Sequence, residues 1–171
     1  MKHEIFPTSV WHIKGTPQEL VDELYQGAYQ FKKRYKNNIL SNQGGYQSPP
    51  FSWEEFHPVG KEYLKEAISN NIKNPYEIIC WWFNINPKDS WNLPHTHPGS
   101  DLALVLYLTD TDDLLTFINP FSHRKLSEAS AYSPETKKGD VLIFPADVIH
   151  FVRPNKRDTD RVSISMNLQL S

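Results

Sequence analysis

One cysteine, Cys80, is the only thiol in the 171 residues, which excludes an internal disulfide framework and a thiolate metal cluster. Its setting, "EIICWWF", reads as a small buried hydrophobe rather than a nucleophile. No run of about 18 apolar residues occurs. The start "MKHEIFPTSVWHIKG" carries no continuous apolar stretch behind its basic residues, so neither a membrane span nor an export signal is expected. An excess of one charge is also missing: Lys and Arg total 18 against 20 for Asp and Glu, a net of −2. No basic field advertises nucleic acid or an anionic membrane, and the expected partners are small molecules or local, neutral surfaces. The length suits one domain with a sizeable core, without internal repeats or low-complexity segments.

What is present divides near Asn74. Two helices are expected before it. "TPQELVDELYQGAYQFKKRYK" opens with Thr16, Pro17 and Glu19 as N-cap, first helical residue and capping-box acid, and it places Leu20, Leu24, Ala28 and Phe31 on one stripe. A second helix fits Pro58 to Ile72, with Val59, Tyr63, Ala67 and Ile68 on its apolar face. The stretch between them, "SNQGGYQSPPFSW", is long for a simple connection and therefore functional or mobile. After Asn74 the chain turns to β-branched and aromatic runs cut by turn residues: "YEIICWWFNI", "DLALVLYLTD", "LLTFINP", "GDVLIFP", "IHFVRP" and "RVSISMNLQL". Strands without intervening helices close into a sandwich or jelly roll. The expected fold is mainly β: a cupin-like jelly roll with N-terminal helices packed on one sheet. It forms a single domain over residues 1–171, with 1–74 a helical support region and 75–171 the jelly-roll core.

"WNLPHTHPGSDLALVLYL" sets His95 and His97 one residue apart at the entry to an apolar strand, where alternate residues share a face. Neutral imidazole binds borderline transition metals, so a same-face pair is half of a metal site. His150, leading the strand after Pro145, supplies a third ligand if distant strands become neighbours. "RVSISMNLQL" alternates strictly, with Arg161, Ser163, Ser165 and Asn167 opposite Val162, Ile164, Met166 and Leu168. An ordinary half-exposed strand explains that pattern; a carboxylate clamp of Arg161 with Ser163 explains it too, since Arg grips a carboxylate through two parallel hydrogen bonds.

Four motifs occur in order: "SNQGGYQS" from Ser41, "HTHPGS" from His95, "GDVLIFP" from Gly139 and "HFVRPN" from His150. Together with the distal R-x-S they resemble the iron(II)- and 2-oxoglutarate-dependent dioxygenases, most closely a phage and bacterial subgroup of these oxygenases. The resemblance implies a double-stranded β-helix, iron(II), 2-oxoglutarate as co-substrate and dioxygen. It also implies 2-oxoglutarate decarboxylation to succinate coupled to hydroxylation of a substrate such as a prolyl or other peptide side chain. His95 and His150 take the outer histidine roles, Arg161 and Ser163 hold the distal carboxylate, and Tyr107 adds a donor to it. The expected location is cytoplasmic, the host cytoplasm if the chain is phage-encoded.

The superfamily places Asp or Glu where this chain has His97. Three histidines are then the favoured ligand set, with Asp101, four residues on, as an alternative ligand or a group that orients one. Gln47, after a flexible glycine pair, is a candidate substrate contact. His3, His12, His57 and His123 lack ligand spacing and read as surface or loop residues. Trp81, Trp82 and Phe83 read as packing more than as a substrate channel. The rival reading is a cupin-like metal- or sugar-binding jelly roll without oxygenase activity, which leaves the Arg161 and Ser163 pair unexplained.

Overall fold

The computed structural model describes residues 8–112, 114–120 and 130–171. Strand β1 (Trp11–Ile13) precedes helix α1 (Gln18–Arg34); β2 (Asn42–Gln43), β3 (Tyr46–Gln47) and a 3-10 turn lead to helix α2 (Pro58–Asn71). Then come β4 (Tyr76–Asn86), β5 (Trp91–His95), β6 (Leu102–Tyr107), β7 (Leu115–Ile118), β8 (Ala131–Tyr132), β9 (Val141–Pro145), β10 (His150–Val152) and β11 (Arg161–Leu170). They form a six-stranded sheet in the order β1-β9-β6-β11-β4-β3 and a five-stranded sheet in the order β2-β5-β10-β7-β8. Every pairing is antiparallel. This is the expected jelly roll.

Sequence alternation sorts the core into two layers. Leu104, Leu106, Ile143, Ile164 and Met166 pack with Leu20, Leu24, Leu64 and Ile68, so both helices cover the outer face of the six-stranded sheet. The intervening residues Val105, Tyr107, Leu142 and Phe144 meet Leu115, Phe117 and Val152 of the other sheet. A strand buried on both faces has no solvent side. The polar row on β11 therefore points between the sheets instead of into water, and Arg161, Ser163 and Ser165 are buried.

Several local expectations are corrected. The Thr16 hydroxyl donates to the Tyr63 hydroxyl at 3.1 Å, and α1 starts without a side-chain cap. Val59 is 61% exposed, and Leu64 takes the buried face of α2. His57 is the N-cap of α2, its Nδ1 accepting from the Gly60 amide, and its Nε2 lies 3.0 Å from Glu23. His12 lies in β1 with Nε2 2.8 Å from the Asp140 carboxylate. His3 and His123 lie outside the described residues. The first 74 residues contribute three strands to the two sheets besides their helices. The long loop is one source of these: Gly45 lets it fold back, because a Cβ there would sit 2.5 Å from Asn42 Oδ1 and 2.7 Å from the Ile85 carbonyl.

Candidate metal centre

The three histidines arrive from different directions. His95 ends β5 and pairs directly with His150 at the start of β10. His97 lies past the end of β5, so strand alternation does not aim it. The connection is instead held by the His97 amide donating to the Ala146 carbonyl at 2.8 Å. One ligand atom from each imidazole lies within 4.8 Å of the others.

Hydrogen bonds at Nδ1 decide which nitrogen faces inward. His95 Nδ1 meets the Leu93 carbonyl at 2.7 Å and His150 Nδ1 meets the Val148 carbonyl at 2.8 Å. A carbonyl only accepts, so both Nδ1 atoms carry protons and both Nε2 atoms present lone pairs. His97 Nδ1 likewise donates to Asn167 Oδ1 at 2.7 Å. Asn167 sits where the register of β11 against β4 shifts, an irregularity of the kind that re-aims a side chain. Sequence reasoning missed it because it read as the last polar residue of an alternating strand.

The Nε2 atoms of His97 and His150 lie 3.2 Å apart. Two facing lone pairs call for a cation between them, and cis ligands roughly 2.1 Å from one ion lie about 3 Å from each other. Aromatic rings shield the group. Trp82 stacks on His97 at 5.8 Å, and Phe144 meets His150 edge-on at 4.8 Å. Burial, reinforced by neighbouring His95, lowers His97 to about 4 and His150 to about 3; burial lowers His95 as well. The imidazoles are therefore neutral at physiological pH, the form that ligates metals.

Asp101 does not join them. Its carboxylate accepts from the Leu170 amide at 2.8 Å and from the Gln169 side chain, which fastens the end of β11.

The same cavity is lined by His95, His97, His150, Arg161 and Ser163. Arg161 is only 4% exposed, and among the described residues it forms no salt bridge. Its NH1 reaches Asn86 Oδ1 at 3.5 Å, and its Nε has no partner. Beside it, the wholly buried Tyr107 hydroxyl lies against the Arg161 and Thr136 side chains, with no hydrogen bond of good geometry among the described residues. Burial pushes that hydroxyl up to about 12, with Arg161 pulling the other way, and burial lowers Arg161. A buried cation without an acidic partner, next to a buried hydroxyl, fits a carboxylate. Tyr107 and Ser163 are register partners on β6 and β11, which places both beside Arg161. A chain of buried amides backs this end: Asn42 and Arg161 both donate to Asn86 Oδ1, and Asn86 donates to Asn92 Oδ1. These asparagines resemble turn punctuation in the sequence, and nothing local distinguishes them from it. Gln47 lies in β3 on a separate, neighbouring groove that also borders His95 and His97.

The geometry thus offers three neutral imidazoles for a divalent transition metal and a cationic pocket for a carboxylate in one cleft. Comparison with curated protein sequences finds no match. Solved structures do match in fold. A Pseudomonas putida prolyl-4-hydroxylase shares 14% identity with a TM-score of 0.68, over 96% of this chain and 94% of that one. HygX from Streptomyces hygroscopicus, solved with nickel and 2-oxoglutarate bound, shares 12% identity with a TM-score of 0.71, over 96% and 84%. A viral collagen prolyl hydroxylase from Paramecium Bursaria Chlorella virus-1, in complex with 2-oxoglutarate, shares 15% identity with a TM-score of 0.66, over 95% and 96%. A family model described as "Putative 2OG-Fe(II) oxygenase" matches residues 80–167, just over half of the chain. That span takes in all three histidines and the Arg161 to Asn167 row, and the chain belongs to the 2OG-Fe(II) oxygenase family, the dioxygenases dependent on iron(II) and 2-oxoglutarate.

Proposed function

We propose that the protein hydroxylates a protein or peptide side chain, such as a prolyl residue, with His95, His97 and His150 holding the iron and Arg161, Ser163 and Tyr107 holding 2-oxoglutarate. The observation that carries this reading is the single cavity lined both by the three histidines and by a buried guanidinium that has no acidic partner among the described residues. When bound, iron(II) with 2-oxoglutarate supplies oxidative decarboxylation by dioxygen to succinate and carbon dioxide, coupled to attack on a C–H bond.

The chain's own residues do the rest. Arg161 grips the distal carboxylate bidentately, Ser163 and the Tyr107 hydroxyl donate to it, and this fixes the co-substrate's reach toward the imidazoles. Trp82, Phe117 and Phe144 keep water from the centre. Gln47 faces the substrate side. The likeness to prolyl hydroxylases supports the peptide part of the proposal through the shared fold.

The test is succinate release from 2-oxoglutarate in the presence of iron(II) and ascorbate, without a prime substrate. Slow, metal-dependent succinate release is expected from the wild type and none from His150→Ala. No succinate from iron-loaded wild type contradicts the proposal, and a purely metal- or sugar-binding jelly roll gives that result.

A further inference from the structure

A groove of about 550 Å³ opens over His95 and His97 on its way to solvent, lined also by Gln47, Trp82 and Asn167 but not by Arg161. Its walls are apolar at Leu40, Pro50, Trp82, Leu93, Pro94 and Pro98, with Leu40 65% exposed at the rim. Among the described residues, no Asp, Glu, Lys or Arg lines it, although charged residues make up 22% of the chain. A charged substrate group would lose its water there and gain no counter-charge.

Two neutral groups in this groove are specific. Gln47 is 5% exposed, and among the described residues its Oε1 has no hydrogen-bond partner. Its backbone is fixed on both sides, the Gln47 amide donating to Asn37 Oδ1 at 2.9 Å and its carbonyl accepting from the Asn38 amide at 2.8 Å. A desolvated acceptor held this rigidly is completed by a donor from elsewhere. Asn167, whose Oδ1 already accepts from His97, brings its Nδ2 hydrogens to the groove as donors. One acceptor and one donor, set in an uncharged wall, complement an amide, which carries one N–H and one C=O.

We infer that this groove takes an uncharged, amide-bearing segment, its N–H given to Gln47 Oε1. The inference rests on the proposed function for what happens to the segment afterwards, but not for its binding. It adds to that reading an exclusion: substrates charged at the reacting segment are rejected.

The experiment loads isotope-labelled protein with zinc(II) and 2-oxoglutarate, and follows the Gln47 side-chain and Trp82 indole signals by NMR. Three probes of similar size are titrated: the neutral N-acetylglycine N-methylamide, the anion N-acetylglycine and the cation glycine N-methylamide. The neutral diamide should move both signals and bind at least about 10-fold more tightly than either ion. Gln47→Leu should weaken it roughly 3- to 10-fold, the size of one net hydrogen bond. Gln47→Glu should turn the preference toward the cation. Equal binding of the ions, or diamide titrations that leave Gln47 and Trp82 unmoved, would overturn the inference. Succinate release, measured in parallel, separates the two claims: its absence with diamide binding intact overturns the oxygenase proposal alone, and its presence without diamide binding overturns only the groove.

Discussion

The Nδ1 atoms of the three histidines shape the centre as much as the Nε2 atoms do. Two are held by backbone carbonyls two residues earlier in the chain, but His97 depends on a side chain from the far end of β11. Removing that acceptor frees the ring to rotate and to switch its proton. Asn167→Leu should therefore weaken cobalt(II) or nickel(II) binding by about 10- to 100-fold, as loss of a ligand's supporting hydrogen bond does elsewhere. Asn167→Asp keeps an acceptor and should retain most of the affinity; competition with a chromophoric chelator measures both. Asp101→Ala should leave metal affinity within about 2-fold, because its carboxylate serves the end of β11. A loss as large as that of His97→Ala would make Asp101 a ligand. At this scale the sequence carried the three histidines that the fold brings together and not the groups that support them. The H-x-H spacing pointed to a pair, yet alternation along a strand was the wrong reason for it, since a turn intervenes and tertiary hydrogen bonds aim His97. Asn167, seventy residues away in the chain, has no local signature.

Elements were legible wherever hydrophobic periodicity was strong. The apolar runs after Asn74 became β4, β6, β7, β9, β10 and β11, and both helices formed within a residue or two of expectation. Strands β1, β2 and β3, with two or three residues each, exist only because a longer strand pairs with them, so no sequence window reveals them. The face of α2 was misread by one position. Tyr63 and Ile68 do pack on the core and Ala67 is buried, but Leu64 is fully buried in the contact and Val59 is left outside. Leu64→Ala should cost about 2 to 5 kcal/mol, whereas Val59→Ala should stay within about 0.5 kcal/mol of wild type. Urea denaturation midpoints distinguish the two; equal losses would contradict the observed packing. On β11 the half-exposed reading of the alternating row is wrong: the apolar side packs under the helices, and Arg161, Ser163 and Ser165 on the other side are buried between the sheets.

The site belongs to the whole molecule because it is closed from both sheets: His95 and His150 lie on the five-stranded sheet, and Arg161, Ser163 and Tyr107 lie on the six-stranded one. That arrangement makes stability of the metal-free protein depend on pH. His97 and His150 titrate near 4 and 3 in the fold, against an ordinary value of about 6.5 when unfolded, so the unfolded chain binds more protons across that interval. Stability should therefore fall as pH drops below about 6.5 and level off near 3 to 4, with the metal-loaded protein shifted more steeply because protons compete with the ion. His150→Gln should flatten the profile in urea titrations between about pH 6.5 and 4, within the interval over which the unfolded chain binds more protons; an unchanged slope would contradict the burial argument. The central claim is that one cavity joins a three-histidine metal centre to an arginine clamp for 2-oxoglutarate. Anaerobic titration of 2-oxoglutarate into the iron(II)-loaded protein, following the metal-to-ligand charge-transfer band, tests it most directly. The account predicts a saturable band for the wild type and an apparent constant at least roughly 30-fold higher for Arg161→Ala, the equivalent of about 2 kcal/mol, with iron affinity nearly unchanged. No band in the wild type, or equal constants in the two proteins, would contradict it.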